Sequence, residues 1–347
     1  MQYRTKQILT SKLRRAIRWE FWPMWVFYTP IVIYIISLVV RFKGLTFLSV
    51  NPGLPMSGLI GERKAQSLSQ LKGSPFLARF ELIDADQALE DRVSQAESIM
   101  ARLEINYPVV LKPDFGQRGA DVAVIRSDDE LRSYLSSANT SILLQEHIGG
   151  EEFGVFYMRY PGDDKSLVYS ITEKTFPVVY GDGRRTLEKL LMENPRTHYM
   201  AEFLLNLHAD KLEMVLSESE AFKVVEIGSH CRGSVFLDGN RYITPELEAV
   251  IDTISRQIEG FHFGRYDIRV ENTALLSKGE GFKVLEVNGV TSESTNVYDP
   301  DNSVFDAYKI LFRQWYSAFE IGQQSIDNGA PSVSFKQFIA HLKSTYW

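Results

Sequence analysis

Hydrophobic and polar positions fall into three regimes along this chain. Residues 21–40 (FWPMWVFYTPIVIYIISLVV) carry no charge and are mostly apolar, and 20 such residues are about what an α-helix needs to cross the hydrocarbon core of a bilayer. From Tyr107 onward, short apolar runs bounded by turn residues take over. Residues 107–112, 122–126, 142–146, 153–160, 167–174 and 222–227 read as strands. Ser127 with Glu130 three residues on has the form of a capping box opening a helix. Gly181-Asp182-Gly183 forms a turn before a helix over 187–192, and Pro245 opens a helix reaching about Glu259. Residues 266–270 and 282–287 predict an antiparallel pair joined around Lys278-Gly279-Glu280-Gly281. A helix over 304–319 follows, then a polar linker over 322–334. Last comes an amphipathic helix over 335–346, with Phe335, Phe338, Ile339 and Leu342 on one face. This succession predicts an α+β body with antiparallel sheets.

Charge sharpens the reading of the first regime. The first 18 residues carry Arg4, Lys6, Lys12, Arg14, Arg15 and Arg18 and no acid, whereas the whole chain has a net charge of −6. The acidic excess therefore lies in the body, which argues against nucleic acid as a partner. Leu9, Leu13 and Ile17 share a helical face with basic residues around the rest, a pattern suited to anionic lipid. Trp19, Trp22, Trp25 and Tyr28 crowd the start of the apolar run, where amphipathic rings favour the membrane interface. A cleaved signal peptide fits poorly, because the basic lead is long, Pro23 and Pro30 interrupt the run and no small-residue cleavage site follows. A buried core helix with a solvated basic lead is the blander alternative. The single cysteine, Cys231, excludes an internal disulfide framework.

Three constellations in the body could carry chemistry. In LKPDFGQRGADV, Lys112 ends a strand and Gly116 and Gly119 lie in the loop behind it. Glycines let backbone approach phosphate, and the lysine supplies a point charge, although most such loops are plain hairpins. In QEHIGGEEF, an acidic turn joins two strands, and Glu152 could bond ribose hydroxyls or merely face solvent. The third set is Asp267 with Glu286 and Asn288. The last two share a face of one strand, and Asp267 lies on its antiparallel neighbour. Two carboxylates and an amide oxygen flanked by Val284, Leu285 and Val287 suit a hard cation such as Mg²⁺.

Taken in order, these segments resemble ATP-grasp enzymes, and most nearly the D-alanine–D-alanine ligase and cyanophycin-synthetase branches. The resemblance spans roughly residues 64–319 and rests on Lys112 with its loop, the turn from Gln145 to Glu152, Gly264-Arg265-Tyr266-Asp267, and Glu286-Val287-Asn288. It implies an ATP-grasp fold, two α+β subdomains with antiparallel sheets gripping ATP, preceded by the hydrophobic helical membrane segment. It further implies phosphate contacts from Lys64, Lys112, Gly116 and Gly119, and an adenine site framed by Gln145, Glu146 and Ile148, with Glu152 at the ribose. By the same resemblance Asp267, Glu286 and Asn288 would hold Mg²⁺, with Mn²⁺ as a substitute. Arg265 would steady a tetrahedral oxyanion, and Lys174 would reach the γ-phosphate. His230, Arg232 and Ser292 are the candidate substrate contacts.

The implied activity is ligation. A carboxylate is activated by ATP as an acylphosphate and joined to an amine, or less readily to a thiol. A phosphotransferase and a membrane-bound nucleotide-binding scaffold are the competing classes. Four regions are expected: a basic lead and membrane helix (1–45), a short linker and reduced pre-ATP-grasp region (46–105), the ATP-grasp core (106–320), and a linker with a short helix (321–347). The pre-ATP-grasp region is too short for the Rossmann-like domain usual in the family, and Gly289-Val290-Thr291 replaces the usual Pro-Gly after Asn288. Both departures fall on substrate recognition. An ATP-using body faces the cytosol, so a full crossing would put six cationic residues on the far side, against the positive-inside tendency. A re-entrant or interface-lying segment on the cytoplasmic face is the expectation. With it go small-molecule or lipid carboxylate and amine substrates, membrane lipid as a partner, and a homodimer as in related enzymes.

Overall fold

The computed structural model describes residues 2–59, 63–116, 119–162, 166–226, 228 and 233–346. Helices α1 (Gln2–Ile17) and α2 (Met24–Arg41) come first, separated by one 3-10 turn over Trp19–Phe21. Pro23 caps α2, and the helix passes through Pro30, which costs one helix hydrogen bond without ending the helix. Phe27, Ile31 and Leu38 are buried along one side of α2. Burying each contributes about 1.5–3 kcal/mol, so α2 is docked on the body.

A four-stranded antiparallel sheet follows. Its chain order is α3 (Lys64–Ser69), β1 (Phe80–Ile83), α4 (Leu89–Leu103), β2 (Val109–Pro113), β3 (Ala123–Ile125), α5 (Asp128–Ser137) and β4 (Ile142–Glu146), and its strand order is β1-β4-β2-β3. Val93, Ile99, Leu131 and Leu135 of α4 and α5 pack with Val109 and Leu144 of the sheet. The sequence reading contained neither β1 nor α4. The capping box is half formed: Ser127 Oγ accepts from the Glu130 N–H at 3.3 Å, but the Glu130 carboxylate accepts from Arg126 N–H at 2.7 Å.

The larger sheet holds β5 (Glu151–Arg159), β6 (Ser166–Thr175), β9 (Val235–Asp238), β10 (Phe263–Val270) and β11 (Phe282–Asn288) in the order β11-β10-β5-β6-β9, all antiparallel. Between β6 and β9 the chain makes a side layer of β7 (Val178–Tyr180), α6 (Leu187–Glu193), α7 (Ala201–Leu207) and β8 (Ala221–Lys223). Helices α8 (Pro245–Ser255) and α9 (Thr273–Leu276) flank β10, and Leu247, Ile251 and Ile254 of α8 pack on Tyr157, Ile171 and Tyr266. The α+β architecture with antiparallel sheets is as expected. The strand expected over 222–227 is corrected to β8: Val224 and Val225 leave the ladder to enter the core of the side layer, and Ile227 lies outside the described residues.

Helix α10 (Val304–Asp327) overruns its expected end by eight residues, and α11 (Phe335–Tyr346) matches expectation. Gly322 looked like the start of a linker. It is instead a close-approach glycine, where a Cβ would lie 2.0 Å from the Thr46 carbonyl oxygen. The interior of α10 meets α2 through Ala307 and Leu311 against Phe27 and Ile31. It also supports the loop after β11: Gln314 accepts from Ser294 N–H and donates to the Ser292 carbonyl, both at 2.9 Å.

Candidate active site

The register of the larger sheet stacks its charged side chains. Glu152 on β5 lies opposite Lys174 on β6 and Arg269 on β10, while Asp267 on β10 lies opposite Glu286 on β11 and Arg265 opposite Asn288. Arg265, Asp267 and Arg269 alternate along one face of β10, with buried Tyr266, Ile268 and Val270 on the other. A bulge then shifts β11 by one residue at Leu285. The Leu285 carbonyl, out of the ladder, accepts from Lys112 Nζ at 3.0 Å and Gln145 Nε2 at 3.2 Å. Both donors come from the smaller sheet, so this contact ties the two sheets together across the cleft.

Lys174 is the most enclosed charge in the cleft. Its ammonium is 3.0 Å from both Glu152 Oε1 and Asp267 Oδ1. Burial alone pulls that lysine down, but Asp267 and Glu152 outweigh it and hold it above its ordinary value. Burial likewise raises Asp267, and Arg265 and Lys174 overcome it, drawing the carboxyl down to about 2. Glu152 ends below its ordinary value for the same reason, with Lys174 and Arg269 as its cations. Lys112 is different: burial lowers it, and Glu286 opposes that only in part. The geometry thus holds a charged Lys174 between two ionised carboxylates and leaves Lys112 the more easily deprotonated amine.

The remaining expected residues sort as follows. Lys64, at the start of α3, donates to the Gly116 carbonyl at 2.7 Å and lies 3.9 Å from Glu286, so it joins the cleft. Gly116 and Gly119 line the cleft, and Gly119 takes the left-handed conformation at φ 69°. Gln145 accepts from Lys112 at 3.0 Å. The Glu146 side chain turns to Arg79, which donates to both carboxylate oxygens at 2.6 and 3.0 Å. The Ile148 carbonyl accepts from Arg269 at 2.9 Å. Arg265 grips Asp267 at 2.9 Å and donates to the Glu293 carbonyl at 3.1 Å. Ser292 lines the cleft, but its hydroxyl donates to the Gly289 carbonyl at 2.6 Å within its own turn. His230 and Arg232 lie outside the described residues.

Sequence reasoning missed Arg269 and Arg79, which set Glu152 and Glu146. Arg269 was readable in principle, since it continues the alternation of Arg265 and Asp267. Also missed was the contribution of the N-terminal segment. The cleft is one cavity of about 960 Å³, and Trp22, Phe27, Tyr28 and Ile31 line it together with the charged residues above.

Among the described residues no three His, Cys, Asp or Glu side chains cluster as a metal site. The expected set is two carboxylates and an amide, and its chemistry fits a hard cation. Asp267 and Glu286 are cross-strand neighbours that bring carboxylate oxygens together, and the Asn288 side chain, opposite Arg265 at the end of the same pairing, offers an amide oxygen.

A family model of RimK-like ATP-grasp domains matches residues 67–156, from α3 into β5. That segment is an ATP-grasp domain of the RimK-like kind by this match. The match agrees with the ATP-grasp resemblance read from the sequence, and the activity itself is taken up as a proposal below. No curated protein matches the sequence significantly. Among solved structures, a D-alanine–D-alanine ligase from Bacillus anthracis is 14% identical over 80% of this chain and 72% of its own, with a TM-score of 0.44. The D-alanine–D-alanine ligase from Coxiella burnetii is 8% identical over 84% and 64%, also at 0.44. A bifunctional glutathione synthetase from Pasteurella multocida is 14% identical over 74% of this chain, at 0.38, and the chain spans only 37% of that protein's length. The ATP-grasp assignment rests on the matched segment. It runs from the end of α3 through β1 to β4 and into β5.

Proposed function

We propose that this protein is a membrane-seated ATP-dependent ligase that activates a carboxylate as an acylphosphate and joins it to an amine. The observation that carries the reading is the convergence of Lys64, Lys112, Lys174 and Arg265 with Asp267, Glu286 and Asn288 in the cleft between two antiparallel sheets. The carboxylate oxygen attacks the γ-phosphorus of ATP, the bond to the β-γ bridging oxygen breaks, and ADP leaves. The amine nitrogen then attacks the acyl carbon, loses a proton, and inorganic phosphate departs. Lys112 and Lys64 reach the phosphates, and Lys174, held beside Asp267, is the ammonium nearest the metal ligands and would face the γ-phosphate. Gln145, Ile148 and the Glu146 backbone border the adenine, and Glu152 meets the ribose. Asp267, Glu286 and Asn288 would hold Mg²⁺ or Mn²⁺, which would supply positive charge to offset that of the transferring phosphoryl group. Arg265 donates to the tetrahedral oxyanion.

The membrane part of the proposal rests on exposure. Among the described residues one helix, α2, is long and apolar enough to cross a membrane. Of the seventeen large apolar side chains exposed among the described residues, nine lie between Leu9 and Val40. Water disfavours that concentration, and a lipid interface on the cytoplasmic side removes it, with the basic residues of α1 meeting anionic headgroups. One substrate is accordingly a lipid or lipid-linked molecule. The test compares lipids and soluble metabolites by untargeted mass spectrometry in cells with and without the gene, looking for a mass equal to condensation with loss of water. It is paired with Mg-ATP turnover of the purified protein on that substrate. ADP formed without free phosphate would overturn ligation in favour of phosphotransfer.

A further inference from the structure

The cavity has two chemically distinct ends. At one end are Lys112, Lys174, Asp267 and Glu286. At the other are Phe27, Ile31, Val32 and Ile35 of α2, facing Leu59 and Trp315 of the body. The two ends meet at a short relay. Tyr28 of α2 donates to Glu293 Oε2 at 2.8 Å and lies 2.9 Å from the Tyr298 hydroxyl, and the Glu293 carbonyl accepts from Arg265 at 3.1 Å. Helix α2 is therefore two hydrogen bonds from the residue assigned to the oxyanion. Its volume of about 960 Å³ lies at the top of the ~300–1,000 Å³ range of ligand pockets.

The apolar end also has an edge toward the exposed face of α2. Met24 and Val32 line the cavity, and each is 50% exposed. Trp25, Ile33 and Ile36 are exposed on the same helix. From Met24 to Ile35 the helix provides a wall about 16 Å long. A cavity charged at one end and walled by this apolar helix complements a molecule with one polar head and one long chain.

We propose that α2 is a wall of the substrate site, and that the substrate lodged there is a single-chain amphiphile. Its reacting head lies at Arg265 and its chain runs along α2, entering from the bilayer past Met24 and Val32. This rests on the reading of the protein as a membrane-seated ligase and adds the substrate class. The apolar chain is the shared chemistry of the two sources, an acid or an amine.

The test uses the full chain reconstituted in vesicles of phosphatidylcholine and phosphatidylglycerol, without nucleotide. Two photoreactive probes, a hexadecanoic acid and a hexadecylamine each with a terminal diazirine, are crosslinked and their attachment sites mapped by mass spectrometry. One probe is expected to label Leu59 or Trp315 on the body side of the cavity, which identifies the reacting head. Val32→Trp, a substitution at a half-exposed position, is expected to cut that label by about fivefold or more while Ile33 and Ile36 stay labelled from the bilayer. Ile35→Trp, deeper along the wall, is the second variant and is expected to do the same. Label confined to Ile33, Ile36 and Val40 for both probes, or body label indifferent to both variants, would overturn the proposal. A protein that failed to bind Mg-ATP would instead sink the ligase reading, and it would leave these labelling outcomes readable.

Discussion

Replacing Lys174 with Met isolates the electrostatics of the cleft at nearly constant volume. The ammonium lies 3.0 Å from Glu152 and 3.0 Å from Asp267, and its side chain is 3% exposed. Removing one partner of a buried ion pair costs about 3–5 kcal/mol, mainly through the charge left behind. Here Arg269 still contacts Glu152 and Arg265 still contacts Asp267, so the low end applies, about 3 kcal/mol. At about 2–4 °C per kcal/mol for a body of this size, the melting midpoint should fall by roughly 6–12 °C near neutral pH. The sign of the pH dependence separates this cause from mere repacking. In the parent, Glu152 sits below its ordinary value, so its contribution holds above the unfolded value and fades only in acid. Without Lys174, burial dominates and the folded value rises above the unfolded one. The variant then regains stability as pH falls and the buried carboxyl takes up a proton. Thermal unfolding of both proteins, followed by tryptophan fluorescence near neutral pH and again near pH 5, measures it. The deficit should shrink at the lower pH. A deficit of equal size at both values, or one under about 1 kcal/mol at neutral pH, would refute the assignment of Lys174 as the shared cation.

The metal reading predicts that Glu286→Gln and Asp267→Asn each weaken Mg²⁺-dependent ATP binding by about tenfold or more, seen by titrating Mg²⁺ at fixed ATP; unchanged affinity in both would remove the site. Asp267, drawn down to about 2, should supply about 2 kcal/mol that is present above its ordinary value and lost as pH falls from about 4 to about 2. Comparing acid unfolding of the parent and Asp267→Asn by circular dichroism should show that step in the parent alone. Gly322→Ala should destabilise by about 1–3 kcal/mol through the clash with the Thr46 carbonyl, read from urea midpoints. Gly329→Ala, at φ 96° with open space around it, should act through backbone strain instead, at about 1 kcal/mol.

What the sequence made legible follows a physical divide. Strands β5, β6, β10 and β11 of the larger sheet were readable because their apolar runs are bounded by turn residues and the charges of β10 fall on one face, as at Arg265 and Asp267, whereas the four-residue β9 was not read. Helix α4 was less so, because its buried stripe of Val93, Ala96 and Ile99 is set among charged neighbours and its N-cap is Ala88, which makes no side-chain cap. The end of α10 was misjudged because a glycine reads as a breaker in sequence, and the carbonyl that demands it is more than 270 positions away at Thr46. In the cleft, the lysines and carboxylates were legible as types. Their pairing was not: nothing local says that Glu146 turns to Arg79 while Glu152 meets Lys174 and Arg269. The role of Tyr28 was beyond reach for the same reason, since its partners Glu293 and Tyr298 lie more than 260 residues on.

Those long-range contacts bear on how α2 meets a membrane. A helix that left the body to span the bilayer would uncover the faces of Ala307 and Leu311 now covered by Phe27 and Ile31. It would also break the Tyr28–Glu293 hydrogen bond and the bond from Trp19 Nε1 to the Asn302 carbonyl at 3.0 Å. Losing the burial of Phe27, Ile31 and Leu38 alone costs about 1.5–3 kcal/mol per side chain in water, and lipid would repay only the helix side of it, leaving α10 exposed. Lying on the interface costs none of these contacts. In the proposed interface-lying arrangement the outward Trp25, Ile33, Ile36 and Val40 would enter the lipid while the inward face keeps its partners. Clamps on the lead act in the same sense: Ser11 Oγ donates to the His198 carbonyl at 2.7 Å, and Arg196 holds Glu20 at 3.1 Å, so α1 and the turn before α2 stay on the body. With α1 and the turn before α2 fixed to the body, the proposed seating would keep the six cations of the lead on the body's side of a membrane. The charge asymmetry that opposes a crossing and the contacts that oppose undocking select the same arrangement.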